Sequence, residues 1–373
     1  MPGPTPTAPQ SFLQILANCD NFRLPSNPIP ASASVEPEPL VPWLLFPTPT
    51  SPAVGLLRPE IVAQLRAENT ASSSPAWQFS SPSSDRDATS GSHARGWVSF
   101  AQGIDTPAAR SRVMKELCER WRDTGLWPDE VGPRKWRGEL YPVYRNPFGP
   151  RDYPHVEGEE DKDELNYAFA MERAASGLFG IVTFGVHMTV YEEVRGPDGE
   201  LADYNVWVPR RAATKQTWPG HLDNSVAGGL EAGLGVLDCV VKESGEEASI
   251  PPEVVRPNAK ATGIISYFFR TSQGWLQPEI EYVYDLCLRP EWGVKPQPLD
   301  GEVESFELLP LAKVVEHIRS GVFKYNCAPV LIDFLVRKGI LTPENEPDYQ
   351  EIVTRLHGRF EHDRWTAGLH WKY

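Results

Sequence analysis

The stretch that decides the reading is Val226–Ile250, VAGGLEAGLGVLDCVVKESGEEASI. Glycines crowd its first half, and Glu243, Glu246 and Glu247 fall within five residues of its second. Val236 to Ser249 reads as a helix, and spacings of three and four place the three carboxylates on one face. Leu237, Val241 and Ala248 then lie roughly opposite and bury against a sheet. Stacked like charges repel, and only Lys242 is near enough to offset them. On charge alone two readings stay open: a solvated helix face, or oxygen ligands for a divalent cation of the kind magnesium takes. Gly245, interior to the helix, costs about 1 kcal/mol relative to Ala and predicts close packing or a special geometry there.

The chain around this stretch has 373 residues, 40 % hydrophobic and 23 % charged, enough for two domains and a sizeable core. Its net charge of -14 argues against nucleic acid, which demands a basic footprint. A small anionic substrate stays compatible, because a bound divalent cation inverts the local electrostatics. Five scattered cysteines without a CxxC pair read as core thiols, not as a disulfide framework or zinc site. The first 22 residues contain no Arg or Lys and no long apolar run, which predicts neither a secretory signal nor an organelle address. No run approaches the length needed to span a bilayer. The expectation is a cytoplasmic protein without a membrane or nucleic-acid partner, and nothing in the sequence sets its oligomeric state.

Proline concentrates in the first 60 residues, predicting a disordered tail over 1–10 and extended connections beyond it. An N-terminal α+β domain is expected over 11–150, with a Ser-rich flexible insertion at 68–96. In it, DTPAARSRVMKELCERWRDTG carries a cap at Asp105 or Thr106, Pro107 at the first helical position, a Val113–Leu117–Trp121 stripe and a stop at Gly125. RKWRGELYPVYR reads as a short strand running into a second. An acidic linker and helix start follow at 151–172. From 173 to 345, strands LFGIVTFGVHMTVYEEV, LADYNVWVPRRA, ATGIISYFFRT and EIEYVYDLCLRP alternate with helices, the last two ending at Gly321 and Gly339. That order predicts an α/β (α+β) fold, an α/β/α sandwich around a mixed sheet. A helical tail is expected over 346–373.

The spacing in the opening stretch resembles the Nudix hydrolase signature, G-x5-E-x7-R-E-U-x-E-E-x-G-U with U apolar. Gly228 falls on its first glycine, Lys242 and Glu243 on the Arg-Glu pair, Glu246 and Glu247 on the Glu-Glu pair, and Ile250 on the last apolar position. Leu234 stands in place of the first Glu, Lys242 of the Arg, Ser244 of the apolar residue and Ser249 of the last Gly. In the family, the positions of Leu234 and Lys242 brace the loop against the helix. The flanks WVPRRAATKQTWPGHLDNSVAGGL, DGEVESFELLP and GVFKYNCAPVLIDFLVRKG, with FLQILANCDNFR and WRGELYPVY upstream, are similar to the thiamin pyrophosphokinase-related branch. In that branch a domain of unknown function precedes the Nudix domain.

The resemblance implies a pyrophosphohydrolase acting on a small organic diphosphate, above all thiamine diphosphate or its oxidised, damaged forms, and releasing the monophosphate and phosphate. It implies Mg²⁺ or Mn²⁺ held by Glu243, Glu246 and Glu247, with the Ala227 carbonyl and Glu302 as further ligands, and Glu243 as the residue that orients or deprotonates water. Gly228 and Gly229 let the backbone approach metal and phosphate. Arg210, Arg211 and Lys215 form a basic run suited to phosphate, Trp207 and Trp218 suit stacking on a heteroaromatic ring, and Tyr325 and Asn326 are further substrate candidates. Asn326 is also placed to cap the closing helix, and Arg137 pairs with Glu139 in a structural role. Three alternatives remain: a Nudix hydrolase of a nucleoside diphosphate derivative such as ADP-ribose, a degraded non-catalytic Nudix binding module, and a relative of isopentenyl-diphosphate isomerase. The isomerase needs a cysteine just after the position of Asn224, where this chain has Ser225, Val226 and Ala227.

Overall fold

In the computed structural model, residues 8–24, 40–80, 96–154, 162 and 164–366 are described. The tail at 1–7, most of the Ser-rich insertion (81–95), the heart of the acidic loop (155–161 and 163) and the end of the chain (367–373) lie outside them. The N-terminal unit contains β1 (Val41–Leu44), β2 (Ala53–Leu57), α2 (Pro59–Ala71), β3 (Trp77–Phe79), β4 (Val98–Phe100) and α3 (Pro107–Thr124). Its four strands run in the order β2-β1-β4-β3. Aromatic residues fill its core: the Trp43 ring sits 5.2–5.9 Å from those of Phe179, Phe169, Phe100 and Trp77. The Thr106 hydroxyl caps α3 by accepting from Ala109 N, and Gly125 closes it at φ 73°. The buried face of α3 runs through Arg110, Met114, Leu117, Cys118 and Trp121, with Val113 at its margin. Both predicted caps are therefore present.

A separate pair, β5 (Leu140–Tyr144) and β6 (Tyr167–Glu172), connects the halves, and α4 (Ser176–Phe179) follows. RKWRGELYPVYR thus supplies one strand, not two. The C-terminal unit is built on β7 (Thr183–Arg195), β8 (Leu201–Arg211), β9 (Val226–Gly229), β10 (Lys260–Arg270), β11 (Leu276–Cys287) and β12 (Val303–Pro310). Its sheet order is β10-β11-β7-β8-β12, with the short β9 against β7. β11 and β7 are parallel and the other pairs antiparallel, so the sheet is mixed as expected. α5 (Val236–Ala248) packs on one face through Cys239, Val240, Val241 and Ala248, beside α6 (Pro252–Asn258). α7 (Leu311–Arg319), α8 (Cys327–Arg337) and α9 (Tyr349–Leu356) form the opposite layer. This is the α/β/α sandwich.

α1 (Phe12–Cys19) departs from the expected partition. Its Phe12, Ile15 and Leu16 bury against the layer of α7, α8 and α9, so it belongs to the C-terminal unit. A capping box holds its start: Gln14 N donates to Ser11 Oγ (3.2 Å) and Ser11 N to Gln14 Oε1 (2.8 Å). In the other direction, the β10–β11 turn inserts Trp275 into the N-terminal core, edge-on to Trp127 at 5.4 Å and under the Arg58 guanidinium at 4.6 Å. Each unit thus lends a piece to the other. Trp43 is fully buried, so Trp43→Ala should lower the unfolding free energy by about 3–5 kcal/mol, read from urea denaturation followed by intrinsic fluorescence.

Candidate functional site

β9 reads VAGG, and its two glycines leave both faces of the strand bare. Gly228 faces α5, where an added Cβ would lie 2.3 Å from Glu243 Cδ. Gly229 faces the other way, where an added Cβ would lie 1.7 Å from the Tyr141 hydroxyl and 3.1 Å from Arg173 Cζ. The strand is therefore thin enough for Glu243 to lie across one side while residues of the 140–173 segment lie across the other. Glu247 is fixed to the same strand, its Oε2 accepting from Ala227 N at 3.0 Å.

The loop before α5 and the helix are braced, though not by the residues the signature names. Leu234 offers no charge, and Lys242 instead reaches Glu231 Oε1 at 3.4 Å. Arg151 donates to Leu234 O at 3.5 Å, and Tyr153 packs where a Cβ on Gly233 (φ 83°) would go. Ser249, in place of the last glycine, adopts φ 55° and donates its hydroxyl to Gln297 O at 2.9 Å. The left-handed conformation explains the family's preference for glycine there. Gly245 has open space around a would-be Cβ, so the expectation of close packing at that glycine fails.

Burial, and repulsion from Glu246 and Glu302 beyond it, push the Glu243 carboxyl up to about 7 against the pull of Lys242. Glu247 is raised as well, by burial first and then by Asp223, Glu243 and Glu302. Glu302 is thus close enough for its charge to act on both helix acids. Among the described residues no three acidic, histidine or cysteine side chains converge closely enough to hold an ion as they stand. The chemistry of the donor set fits a hard divalent cation all the same. Neighbouring carboxylates add to burial in raising Glu243 and Glu247, and the Lys242 ammonium stands in as counter-charge, 3.5 Å from Glu243 and 3.9 Å from Glu246.

A cavity of about 640 Å³ opens on the Gly229 side of β9, between the two units. Of the sequence candidates, Ala227, Gly228, Gly229, Trp218, Tyr325 and Asn326 line it. Trp207 does not: it packs in the core and its indole N–H donates to Glu192 Oε1 at 3.0 Å. The basic run is spent elsewhere. Arg210 donates to Gly220 O at 3.0 Å, Arg211 makes a buried ion pair with Asp223, and Lys215 pairs with Glu302. The Asn326 side chain forms no cap hydrogen bond and instead donates to the Tyr267 hydroxyl at 3.1 Å.

Residues that the sequence reading passed over form much of the cavity's chemistry. On β11, Glu279 and Glu281 alternate with Ile280 and Tyr282 and so share the cavity face. Tyr267 donates to this pair, standing 2.8 Å from Glu281 Oε1, which His187 Nε2 approaches at 3.5 Å. Burial and the charge of Glu281 raise Glu279, whereas Glu281 is held low, against its burial, chiefly by His187. Glu281 Oε2 is buried without a hydrogen-bond partner. Lys324 lines the same space, its charge held by Asp223 against the cost of burial. Two glutamates spaced by two in an otherwise apolar strand were a usable signal. Nothing local distinguished Lys324 within FKYNC.

Residues 188–327 match the family model described as NUDIX domain, and this part of the chain is a Nudix domain. The chain is 42 % identical over 238 residues to the Saccharomyces cerevisiae protein named "Uncharacterized protein YJR142W", covering 61 % of this chain and 63 % of that one. It is 35 % identical over 267 residues to "Nudix hydrolase 20, chloroplastic" of Arabidopsis thaliana, covering 71 % of this chain and 62 % of that one. With "Nudix hydrolase 24, chloroplastic" of the same plant it shares 33 % identity over 264 residues, 70 % of this chain and 63 % of that one. The chain thus spans a little under two thirds of the length of these relatives.

Below about pH 7 the Glu243 carboxyl is predominantly protonated, so a divalent cation binding there must displace a proton. Mg²⁺ affinity should therefore fall by at least about tenfold per pH unit below that value, with the raised Glu247 steepening the fall. Titration calorimetry in buffers of different ionisation enthalpy should detect at least about one proton released per ion at pH 6, and fewer as the pH rises through the Glu243 value.

Proposed function

We propose that the chain is a divalent-metal-dependent diphosphatase whose substrate is a small organic diphosphate, thiamine diphosphate or an oxidised form of it, cleaved to the monophosphate and phosphate. The observation that carries the reaction class is β9 itself, with Glu243 across Gly228 and the cavity opening at Gly229. A diphosphate lying over that bare strand reaches the helix acids while its organic part occupies the cavity. Mg²⁺ or Mn²⁺ at Glu243, Glu246 and Glu247, with Glu302 and the Ala227 carbonyl in reach, would offset the charge of the diphosphate and acidify a water. Glu243, lying across Gly228, would be the residue placed to orient the attacking water and take a proton from it. Glu247, fixed to Ala227 N, keeps the helix face in register with the strand.

The substrate class rests on the likeness of the flanking motifs to the thiamin pyrophosphokinase-related branch, and the cavity is consistent with it. Tyr325 stacks on Phe269 at 4.2 Å and meets Trp218 at 5.2 Å, an aromatic wall suited to a flat ring. The ionised Glu281 beside it suits a ring that carries positive charge or amino donors.

Phosphate release should be measured with Mg²⁺ and with Mn²⁺ from thiamine diphosphate, its oxo form, ADP-ribose and a nucleoside triphosphate. Turnover of the thiamine compounds is expected. In Glu247→Gln it should drop by at least about 100-fold, the upper end of what loss of an outer-shell metal partner costs. Turnover of ADP-ribose alone would retain the reaction class and discard the thiamine assignment. Turnover of none of them would leave the domain as a binding module.

A further inference from the structure

The cations that sequence spacing nominated for phosphate, Arg210, Arg211 and Lys215, are engaged by Gly220, Asp223 and Glu302. The cavity is nevertheless supplied with cations, and three of them, Lys135, Arg137 and Arg173, come from the segment ahead of the Nudix domain. Arg137 and Arg173 both line it. Arg173 Cζ lies over Gly229, on the face of β9 opposite Glu243, and the guanidinium also covers the Tyr141 ring at 5.1 Å. A single contact, Arg173 Nη1 to Glu139 Oε2 at 2.7 Å, accounts for its side-chain pairing, which leaves the rest of a five-donor fork for a ligand. Arg137 does not pair with Glu139, contrary to the sequence expectation, because Arg173 has taken that carboxylate.

The placement of the two arginines is built into the fold. Glu172, only 3 % exposed, spends its carboxylate on the turns that carry them. Its Oε1 accepts from Arg137 N (3.0 Å) and Ala174 N (3.1 Å), and its Oε2 from Gly138 N (3.2 Å). Arg173 N also donates to Glu139 O at 2.9 Å, tying the two turns together. A buried carboxylate used only to hold two turns is an expensive device unless the turns have a task. Lys324, ahead of α8, adds a fourth cation. The lining as a whole sets Lys135, Arg137, Arg173 and Lys324 against Asp129, Glu130, Glu279 and Glu281, so it is the guanidinium placed at Gly229, and not the net charge of the cavity, that suits an anion.

We infer that the segment ahead of the Nudix domain is part of the active site: Arg137 and Arg173, on the turns flanking β5 and β6, form a diphosphate-binding subsite that reaches the substrate across Gly229, opposite the helix acids. The inference rests on the diphosphatase reading above for the identity of the anion. Bidentate contact with phosphoryl oxygens is what a planar guanidinium supplies better than an ammonium. Chemistry stays with the Nudix helix, and the arginines are substrate-binding residues.

The test uses the full chain with Mg²⁺ and methylene-diphosphonate, a diphosphate that cannot be hydrolysed, with binding measured by calorimetry beside turnover. Arg137→Gln and Arg173→Gln should each weaken binding by about tenfold or more, with an unchanged melting temperature for Arg137→Gln. Arg134→Gln, an exposed cation of the same segment outside the cavity lining, should bind as the parent does. Glu139→Gln separates binding from structure. If Arg173 serves only to hold Glu139, that variant should match Arg173→Gln; if Arg173 holds the ligand, its affinity should equal or exceed the parent's. Parent-like binding by both arginine variants, or no binding by the parent chain, would overturn the inference. Arginine-dependent binding in a chain that hydrolyses no diphosphate would keep the subsite and reject the hydrolase reading.

Discussion

The molecule turns on a strand with nothing on it. β9 presents Gly228 to the helix acids and Gly229 to the cavity, and each glycine is filled against from its own side: by Glu243 on one, by Tyr141 and Arg173 on the other. A methyl group at either position would collide with a side chain the site needs. The box helix, the cavity and the segment ahead of the Nudix domain therefore meet at two consecutive residues. Bracing follows from the same demand, since a strand that thin must be held by its surroundings: β7 pairs with it, Glu247 takes an N–H of it, and Arg151 and Tyr153 support the loop that leaves it.

Where residues 226–250 depart from the Nudix signature, the structure shows replacement in some places and strain in others. Glu231 supplies to Lys242 the partner that Leu234 does not, so loop and helix stay joined by a different pair. Ser249 carries a left-handed backbone that glycine would adopt more cheaply, and its hydroxyl is used on Gln297. Neither change replaces one of the three helix acids, and Lys242 stands beside two of them, Glu243 and Glu246. Electrostatically the site is poised, because burial first and neighbouring carboxylates second hold the charge of Glu243 and Glu247 off against the pull of Lys242 on Glu243.

The fold was legible because its signals are local. Period-two strands, a capped α3 with Gly125 as its stop, and the three-and-four spacing of the acids each act within a few residues. The box helix was legible for the same reason. The cavity was legible only in part, because its walls come from segments far apart in the chain. Trp218 and Tyr325 announced themselves as aromatic, but Trp207 looked the same and is core, since alternation does not say which face meets the ligand. The basic run at 210–215 looked available because its carboxylate partners, Asp223 and Glu302, are set by tertiary packing. Glu279, Glu281 and Lys324 lay inside apolar or mixed segments where a charged residue passes for a surface one.

α1 carries a consequence for how the protein is made. Its capping box favours its first turn, but eight residues do not hold a helix alone in water, and the surface that covers Phe12, Ile15 and Leu16 is formed by α7, α8 and α9, about 300 residues on. At ordinary rates of synthesis that delay is roughly tens of seconds. During it the aromatic core around Trp43 gathers its pieces up to Trp275, while the apolar residues of α1 stay uncovered ahead of it. The chain is thus closed by its first element arriving last, and the sandwich waits for a helix translated long before the layer it completes.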